Sequence, residues 1–277
     1  MAGGLGLWAF WLEPAALHVW EYRLVLPRWP PGIRMRIALL ADLHVGSPYS
    51  GADKLREIVR RTNEAQPDLT LLAGDFVIGG VLFGAYVPPE TVGEILGGLR
   101  APLGVFAVLG NHDHGMNAPR IKGALRLFGI RVLNDEAVRI ERLAPATSFW
   151  LVGVSDLLRG PHDLRGALAH VTDGAPVLLL THNPDLFPEV PERVGLTMAG
   201  HTHGGQVYLP LFGRPIVPSR YGDRYAAGQV IEGGRHLFVS TGTGTSILPV
   251  RFLVPPEISL LTIEGSPAVA KEGPADP

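Results

Sequence analysis

From Met35 onward the chain alternates apolar runs with stretches whose apolar residues recur at helical spacing. Residues 35–41 form an apolar run of the kind carried by a strand buried on both faces. Leu55, Ile58, Val59 and Thr62 then recur every three or four positions between Asp53 and Gln66, which predicts an amphipathic helix. The same alternation predicts a strand at 69–73, a helix at 88–99 with proline at its start, a strand at 104–109 and a helix at 119–128. Beyond Gly129 the apolar runs shorten and crowd together. Strands are predicted at 138–143, 149–154, 177–181, 196–199, 236–240 and 258–263, with one helix at 163–171. Helix-separated strands first and closely spaced strands later predict an α/β fold of two sheets packed face to face, with helices outside.

The ends of the chain differ from this pattern. Residues 3–12 are apolar and aromatic, with Trp8, Phe10 and Trp11, and lead into Glu13-Pro14. A second stretch carries Leu17, Trp20, Leu24 and Leu26 and closes on Trp29. The first run is about half the roughly 20 residues of a spanning helix. It lacks the basic flank and small-residue cleavage site of a secretory signal, and there is no twin arginine. It is read as an interfacial membrane anchor, with its tryptophans at headgroup depth and Arg23 and Arg28 near lipid phosphates. The competing reading packs it on the domain's own core. The expected organisation is a lead over 1–32, one domain over 33–264 and a disordered tail over 265–277 rich in Pro, Ala and Gly. A peripheral position on the cytoplasmic face of a membrane is expected, with a soluble cytoplasmic or periplasmic protein as the alternative.

Composition narrows the chemistry. An apolar share of 46% over 277 residues supports a large buried core. A formal charge of −2, from 24 basic and 26 acidic residues, leaves no electrostatic footprint for nucleic acid, and no protein partner is indicated. With no cysteine in the chain, any metal must be held by His, Asp, Glu or Asn.

Candidate ligands sit where the predicted strands end. Asp42 and His44 follow the first strand, Asp75 the second, and Asn111 and His112 the third; His182, then His201 and His203, follow two later strands. In open α/β sheets the ligand crevice lies beyond the carboxyl ends of the strands. Singly, each is explained as a cap or turn residue; together and in this order they point to a metal site. His18, His114, His162, His170 and His236 have no such partner and are read as ordinary; the loop bearing Ser155, Asp156 and Arg159 is read as solvated, the alternative being contact with a substrate phosphate. Substrate-binding residues are not legible.

Asp42-Leu43-His44, Gly74-Asp75, Gly110-Asn111-His112-Asp113, Thr181-His182 and Gly200-His201-Thr202-His203 resemble the five ordered motifs of calcineurin-like metallophosphoesterases, over roughly residues 35–263. The resemblance implies a four-layer αββα sandwich of two mixed sheets and a centre of two divalent cations. Asp42, His44 and His203 would hold one cation, Asn111, His182 and His201 the other, and Asp75 would bridge them. Two cations about 3.5–4 Å apart need such a shared anion, and the donor set suits Mn, Zn or Fe better than Ca or Mg. The implied reaction is hydrolysis of a phosphodiester or pyrophosphate bond by a hydroxide shared between the cations. His112, not itself a ligand, would stabilise phosphoryl charge or protonate the leaving oxygen, with Asp113 either orienting it or standing as an exposed turn carboxylate.

One departure stands out. Many relatives continue the second motif as Gly-Asp-x-x-Asp-Arg, whereas Ile78 occupies the position of the supporting Asp here. The aromatic lead with Glu13-Pro14, and residues 240–244 followed by Pro249-Val250-Arg251-Phe252, look like the membrane-associated bacterial branch. That branch includes enzymes similar to UDP-diacylglucosamine pyrophosphatases, which implies a lipid-linked phosphoester substrate. A soluble nucleotide phosphodiesterase or phosphatase, a nuclease, and a non-catalytic metal-binding module stay open as alternatives.

Overall fold

The computed structural model describes residues 2–143 and 146–266. It begins with a helical lead, α1 (Ala2–Leu7), a π-helical turn (Trp8–Leu12) and α2 (Glu13–Ala15). Then follow β1 (His18–Leu26), β2 (Arg34–Leu40), α3 (Ala52–Glu64), β3 (Leu69–Leu72), α4 (Pro89–Leu96), β4 (Val105–Ala107), α5 (Asn111–Met116), α6 (Ala118–Leu127) and β5 (Arg131–Val132). The second half comprises β6 (Glu136–Leu143), β7 (Ala146–Gly153), α7 (Leu164–Ala169), β8 (Val177–Leu180), β9 (Val194–Ala199), β10 (Gly228–Glu232), β11 (Arg235–Val239) and β12 (Glu257–Gly265).

These strands make two mixed six-stranded sheets, β1-β12-β2-β3-β4-β5 and β10-β11-β9-β8-β7-β6. Strands β2 to β5 run parallel in the first sheet, and β7, β8, β9 and β11 run parallel in the second. Parallel strands covered on both faces are apolar throughout, and every residue of β3, β8 and β9 is buried. One core lies between the sheets, where Ile37, Leu71, Phe149, Leu178 and Met198 meet. A second lies between the first sheet and α3, α4 and α6, to which α3 contributes Leu55, Ile58 and Val59 from the face its spacing predicted. A third covers the outer face of the second sheet beneath α7. The result is the αββα sandwich expected from the sequence.

The lead divides in two. Residues 18–26 pair in parallel with β12 along their whole length, so this stretch is an edge strand of the domain. Leu24, Leu26 and Trp29 enter the inter-sheet core. Arg23 and Arg28, expected near lipid phosphates, lie 2.6 Å from Glu264 and 3.6 Å from Glu192, both arginine side chains remaining at least half exposed. The helical part ahead of it behaves otherwise: Leu5, Leu7, Trp8, Phe10, Trp11 and Leu12 are exposed. It is tied down by Glu13, whose buried carboxylate accepts the Val254 N–H at 2.6 Å and the Trp8 indole N–H at 2.5 Å. No helix among the described residues is long and apolar enough to cross a membrane. At the other end, Gly265 closes β12, and residues 267–277 of the expected tail lie outside the described residues.

Candidate metal centre

Loops leaving β2, β3, β4, β8 and β9 bring the expected side chains to one place at the carboxyl ends of both sheets. Asp42, His44 and His203 lie close enough to share an ion, and so do Asp42, Asp75 and His182. Asp75 sits between the two halves, its Oδ2 at 3.5 Å from His44 Nε2 and 3.4 Å from His182 Nε2. His182 Nε2 is 3.1 Å from both Asn111 Oδ1 and His201 Nδ1. His44 Nε2 and His203 Nε2 are 3.2 Å apart, and Asp42 Oδ1 is 3.6 Å from the latter.

The backbone is bent to achieve this. Asp42, His44, Asp75, His201 and His203 all adopt left-handed backbone, with φ of 50°, 39°, 58°, 72° and 52°. Such conformations are uncommon outside glycine, cost energy and gather at functional sites. The neighbouring glycines admit the carboxylates. A Cβ on Gly110 would lie 2.2 Å from Asp75 Oδ1, and one on Gly200 would lie 2.6 Å from Asp42 Oδ2.

The electrostatics suit cation binding. Burial lowers the His44 imidazole to about 4 and His201 to about 3, and takes His203 well below the usual range. These rings are neutral near pH 7 and offer lone pairs; the approach of His44 to Asp75 is therefore no ion pair. His182 goes the other way. Burial opposes its charge, but the Asp75 carboxylate and its hydrogen bond outweigh that and raise it to about 10. Burial pushes Asp42 up to about 7. Two buried carboxylates thus lean on a single imidazolium, and a cation would supply that positive charge directly. His182 also donates Nδ1–H to the Ala73 carbonyl at 2.6 Å, which orients its Nε2 toward Asp75 and Asn111. The residues present therefore fit divalent cations.

Two expectations are corrected by position. Asp113 does not orient His112 and is not an exposed turn carboxylate. It is fully buried and accepts the N–H groups of Asp75, Phe76 and Gly110 at 2.8–2.9 Å, locking the Asp75 loop to the start of α5. Ser155 and Asp156 are buried rather than solvated; Ser155 Oγ lies 3.4 Å from His114 Nε2, and Asp156 caps the N–H groups of Leu158 and Arg159.

His112 reaches the site from the solvent side, its Nε2 4.0 Å from Asp75 Oδ2, while its own N–H donates to Asp75 Oδ1 at 2.9 Å. Its ring rests on Gly79, where an added Cβ would stand 1.9 Å from Nδ1. Ile78 turns away beneath Gly46 and Gly84, so no carboxylate backs His112 from that position. The centre opens into a cavity of about 430 Å³ with Asp75, Asn111, His112 and His201 at its floor and Val207, Ile216, Ile247, Leu248 and Val250 in its walls.

Arg251, marked in the sequence only as part of the 249–252 segment, has a role that was not legible there. Arg251 is fully buried and donates to the carbonyls of Thr241, Gly242, Gly244 and Val254 at 2.6–3.2 Å. It fastens the loop whose Gly244 N–H holds the Asp42 carbonyl at 2.7 Å. Burial lowers its pKa to about 10 against the attraction of Asp42, Glu257 and Glu13.

Two packed mixed sheets with a buried Asp/His/Asn cluster at their carboxyl ends define a protein of the metal-dependent phosphoesterase class. Residues 35–205 match the calcineurin-like phosphoesterase family, and the chain belongs to it. Membership makes it a phosphoric ester hydrolase that uses divalent metal. It is 32% identical over 266 residues to YkuE, an uncharacterized metallophosphoesterase of Bacillus subtilis, covering 95% of this chain and 91% of that protein. It is 34% identical over 232 residues to the phosphodiesterase YaeI of Escherichia coli, covering 82% of each. It is 29% identical over 307 residues to the UDP-2,3-diacylglucosamine pyrophosphatase LpxG of Chlamydia trachomatis, covering 92% of each.

Proposed function

We propose that this chain hydrolyses a phosphodiester or pyrophosphate bond in a lipid-linked substrate, with two divalent cations, at a membrane surface. The observation that supports the reading most is the placement of Asp75, within 3.5 Å of His44 on one side and 3.4 Å of His182 on the other. In this reading Asp42, His44 and His203 hold one cation of Mn, Zn or Fe, Asn111, His182 and His201 hold the second, and Asp75 serves both. Cations so held supply Lewis acidity toward phosphoryl oxygens and lower the pKa of a coordinated water.

The chain's own residues do the rest. His112, at the cavity floor, protonates the leaving oxygen or hydrogen-bonds the charge growing on the phosphoryl group. Its backbone N–H is fixed by Asp75 Oδ1 and its ring packs on Gly79, with no second-motif carboxylate behind it. Asp113 keeps the loops of Asp75 and Asn111 in register. The apolar walls exclude water and accept an apolar portion of the substrate beside the bond that breaks. A lipid-linked substrate is supported by the likeness to LpxG, and a membrane position by the exposed Trp8, Phe10 and Trp11 of the lead, read as an interfacial anchor.

The test is hydrolysis of bis(p-nitrophenyl) phosphate by metal-stripped protein, with Mn, Zn or Mg added back. Metal restores turnover, and a His112→Ala variant that binds metal normally turns over about 10²–10⁴ times more slowly. Turnover indifferent to metal, or undiminished in His112→Ala, would sink the reading.

A further inference from the structure

Bulky apolar residues stand at loop tips in backbone that ordinarily favours glycine: Phe83 (φ 62°), Leu211 (75°), Ile247 (62°) and Leu253 (56°). For such side chains a left-handed backbone is strained. Here the strain secures no burial, because Leu211 is fully exposed, Phe83 is 83% exposed and Ile247 74%. Phe212 and Ile216, 84% and 77% exposed, continue the tip at Leu211. Three loop segments thus hold large apolar groups in water at an energetic cost.

The segments form one face around the cavity. The Leu82 N–H donates to the Ile247 carbonyl at 3.1 Å, and Gln206 Nε2 donates to the Leu248 carbonyl at 3.3 Å. The Tyr208 N–H donates to the Phe252 carbonyl at 2.8 Å, and the Arg251 N–H to the Ala9 carbonyl at 2.9 Å, which joins the helical lead to the same face. Ile216, Ile247 and Leu248 belong both to this surface and to the cavity wall. The tips therefore ring the opening that leads down to His112 and Asp75.

Charge selects the occupant. The chain has 26 acidic residues, yet residues 2–12, 76–88, 206–220 and 241–254 contain none. Their charged residues are Arg214, Arg220 and the buried Arg251. Of the carboxylates outside these segments, exposed Asp223 comes near the tip at Gly213; separate apolar tips on segments that carry no acid of their own, with arginines on the longest loop, complement an anionic lipid surface. A bilayer admits isolated tips without a shaped counterpart, as a protein partner would not.

We propose that the mouth of the catalytic cavity is a membrane-docking face, in which Phe83, Leu211, Phe212 and Ile247 enter the interface of an anionic bilayer and Arg214 and Arg220 meet lipid phosphates. The cavity then opens onto the lipid, and a phosphoester whose apolar part stays in the bilayer reaches the metal centre without crossing water. This rests on the membrane half of the function proposed above and adds to the helical lead a second attachment point that fixes orientation.

The test is co-sedimentation of the full chain with vesicles of phosphatidylglycerol and phosphatidylcholine, against phosphatidylcholine alone. A Phe83→Asp/Leu211→Asp/Phe212→Asp variant is compared with a Trp8→Ser/Phe10→Ser/Trp11→Ser variant. Aspartate tolerates left-handed backbone better than Phe or Leu, so the loop variant is expected to keep its melting temperature and its turnover of bis(p-nitrophenyl) phosphate. It loses vesicle affinity by about tenfold or more, and wild-type binding is stronger on the anionic vesicles. Wild-type protein that fails to sediment, or a loop variant that binds like wild type while only the lead variant fails, overturns the proposal. A dimer that the loop variant dissolves, with no vesicle binding by either, overturns it in favour of a protein interface. Should the triple variant fold poorly, Phe212→Trp placed in the Trp8→Ser/Phe10→Ser/Trp11→Ser background decides: the fluorescence it adds over that background is quenched by spin-labelled lipid if the tip inserts, and added fluorescence that stays unquenched overturns the proposal. Vesicle binding without any metal-dependent diester hydrolysis would leave the docking face standing and remove the hydrolase reading instead.

Discussion

Replacing Arg251 with methionine removes a guanidinium that makes five hydrogen bonds to four carbonyls. Gly242 keeps a second donor in the Glu257 N–H, so the Thr241, Gly244 and Val254 carbonyls are the ones stranded. At about 2 kcal/mol for each buried group left unpaired, the loss is about 6 kcal/mol. Against it stands the relief of a buried charge. A pKa of about 10 in place of 12.5 means that folding now carries about 3 kcal/mol to keep this arginine charged. The net destabilisation is about 3 kcal/mol, or a fall in melting temperature of about 6 °C or more. Because the loop also holds the Asp42 and Ala41 carbonyls through Gly244 and Thr243, turnover falls along with stability. Thermal unfolding followed by circular dichroism, beside hydrolysis of bis(p-nitrophenyl) phosphate, measures both. An Arg251→Met protein that melts within about 2 °C of wild type would show that the hydrogen bonds are worth little more than the charge they accommodate.

Other parts of the structure make further predictions. Gly79→Ala puts a methyl group 1.9 Å from His112 Nδ1 and must displace that ring, so turnover drops about tenfold or more while metal content is retained; unchanged turnover would mean that the orientation of His112 is unimportant. Asp113→Ala strands three buried N–H groups, a loss of about 6 kcal/mol on the same basis, and relieves a carboxylate that burial pushes up to about 7, which offsets about 4 kcal/mol near pH 7, so stability falls by about 2 kcal/mol. Asp113→Asn is milder because one acceptor oxygen survives, and equal urea midpoints for wild type and the alanine variant would contradict this. Lys54, which donates to the Ala15 and Ala16 carbonyls, is lowered to about 8 by burial. Between about 8 and 10.5 the unfolded chain therefore holds more protons on this group than the folded one, and stability rises with pH across that window relative to a Lys54→Met variant. Parallel stability–pH curves for the two proteins would refute it.

The sequence made the parallel strands and their carboxyl ends readable because residues buried on both sides must be apolar without interruption, as in β3, β8 and β9. Edge strands carry no such signature. Only the last part of β1 is buried, so Trp20, Glu21 and Arg23 disguised it as part of a lead. Its partner β12 lies more than two hundred residues away, a pairing that no local pattern announces. Strand β5 is two residues long and β10 alternates in half-buried positions, below the length at which periodicity speaks. Residue type and strand-end position were enough to single out Asp42, His44, Asp75, Asn111, His182, His201 and His203, which the fold brings together. The left-handed backbone at five of them was hidden, because only glycine and asparagine advertise it in sequence. The burial of Asp113 and Arg251 was equally hidden, since both act on backbone groups brought near by the fold and have no side-chain partner to mark them.

The account turns on Asp75 as the carboxylate shared by two cations, and titration of Mn²⁺ into metal-stripped wild-type and Asp75→Asn protein tests this most directly. The account predicts two ions per chain for wild type. For Asp75→Asn it predicts one ion or fewer, with diester hydrolysis abolished at every metal concentration. Two ions bound with undiminished affinity by Asp75→Asn, or a single ion in a wild-type protein that turns over fully, would contradict it.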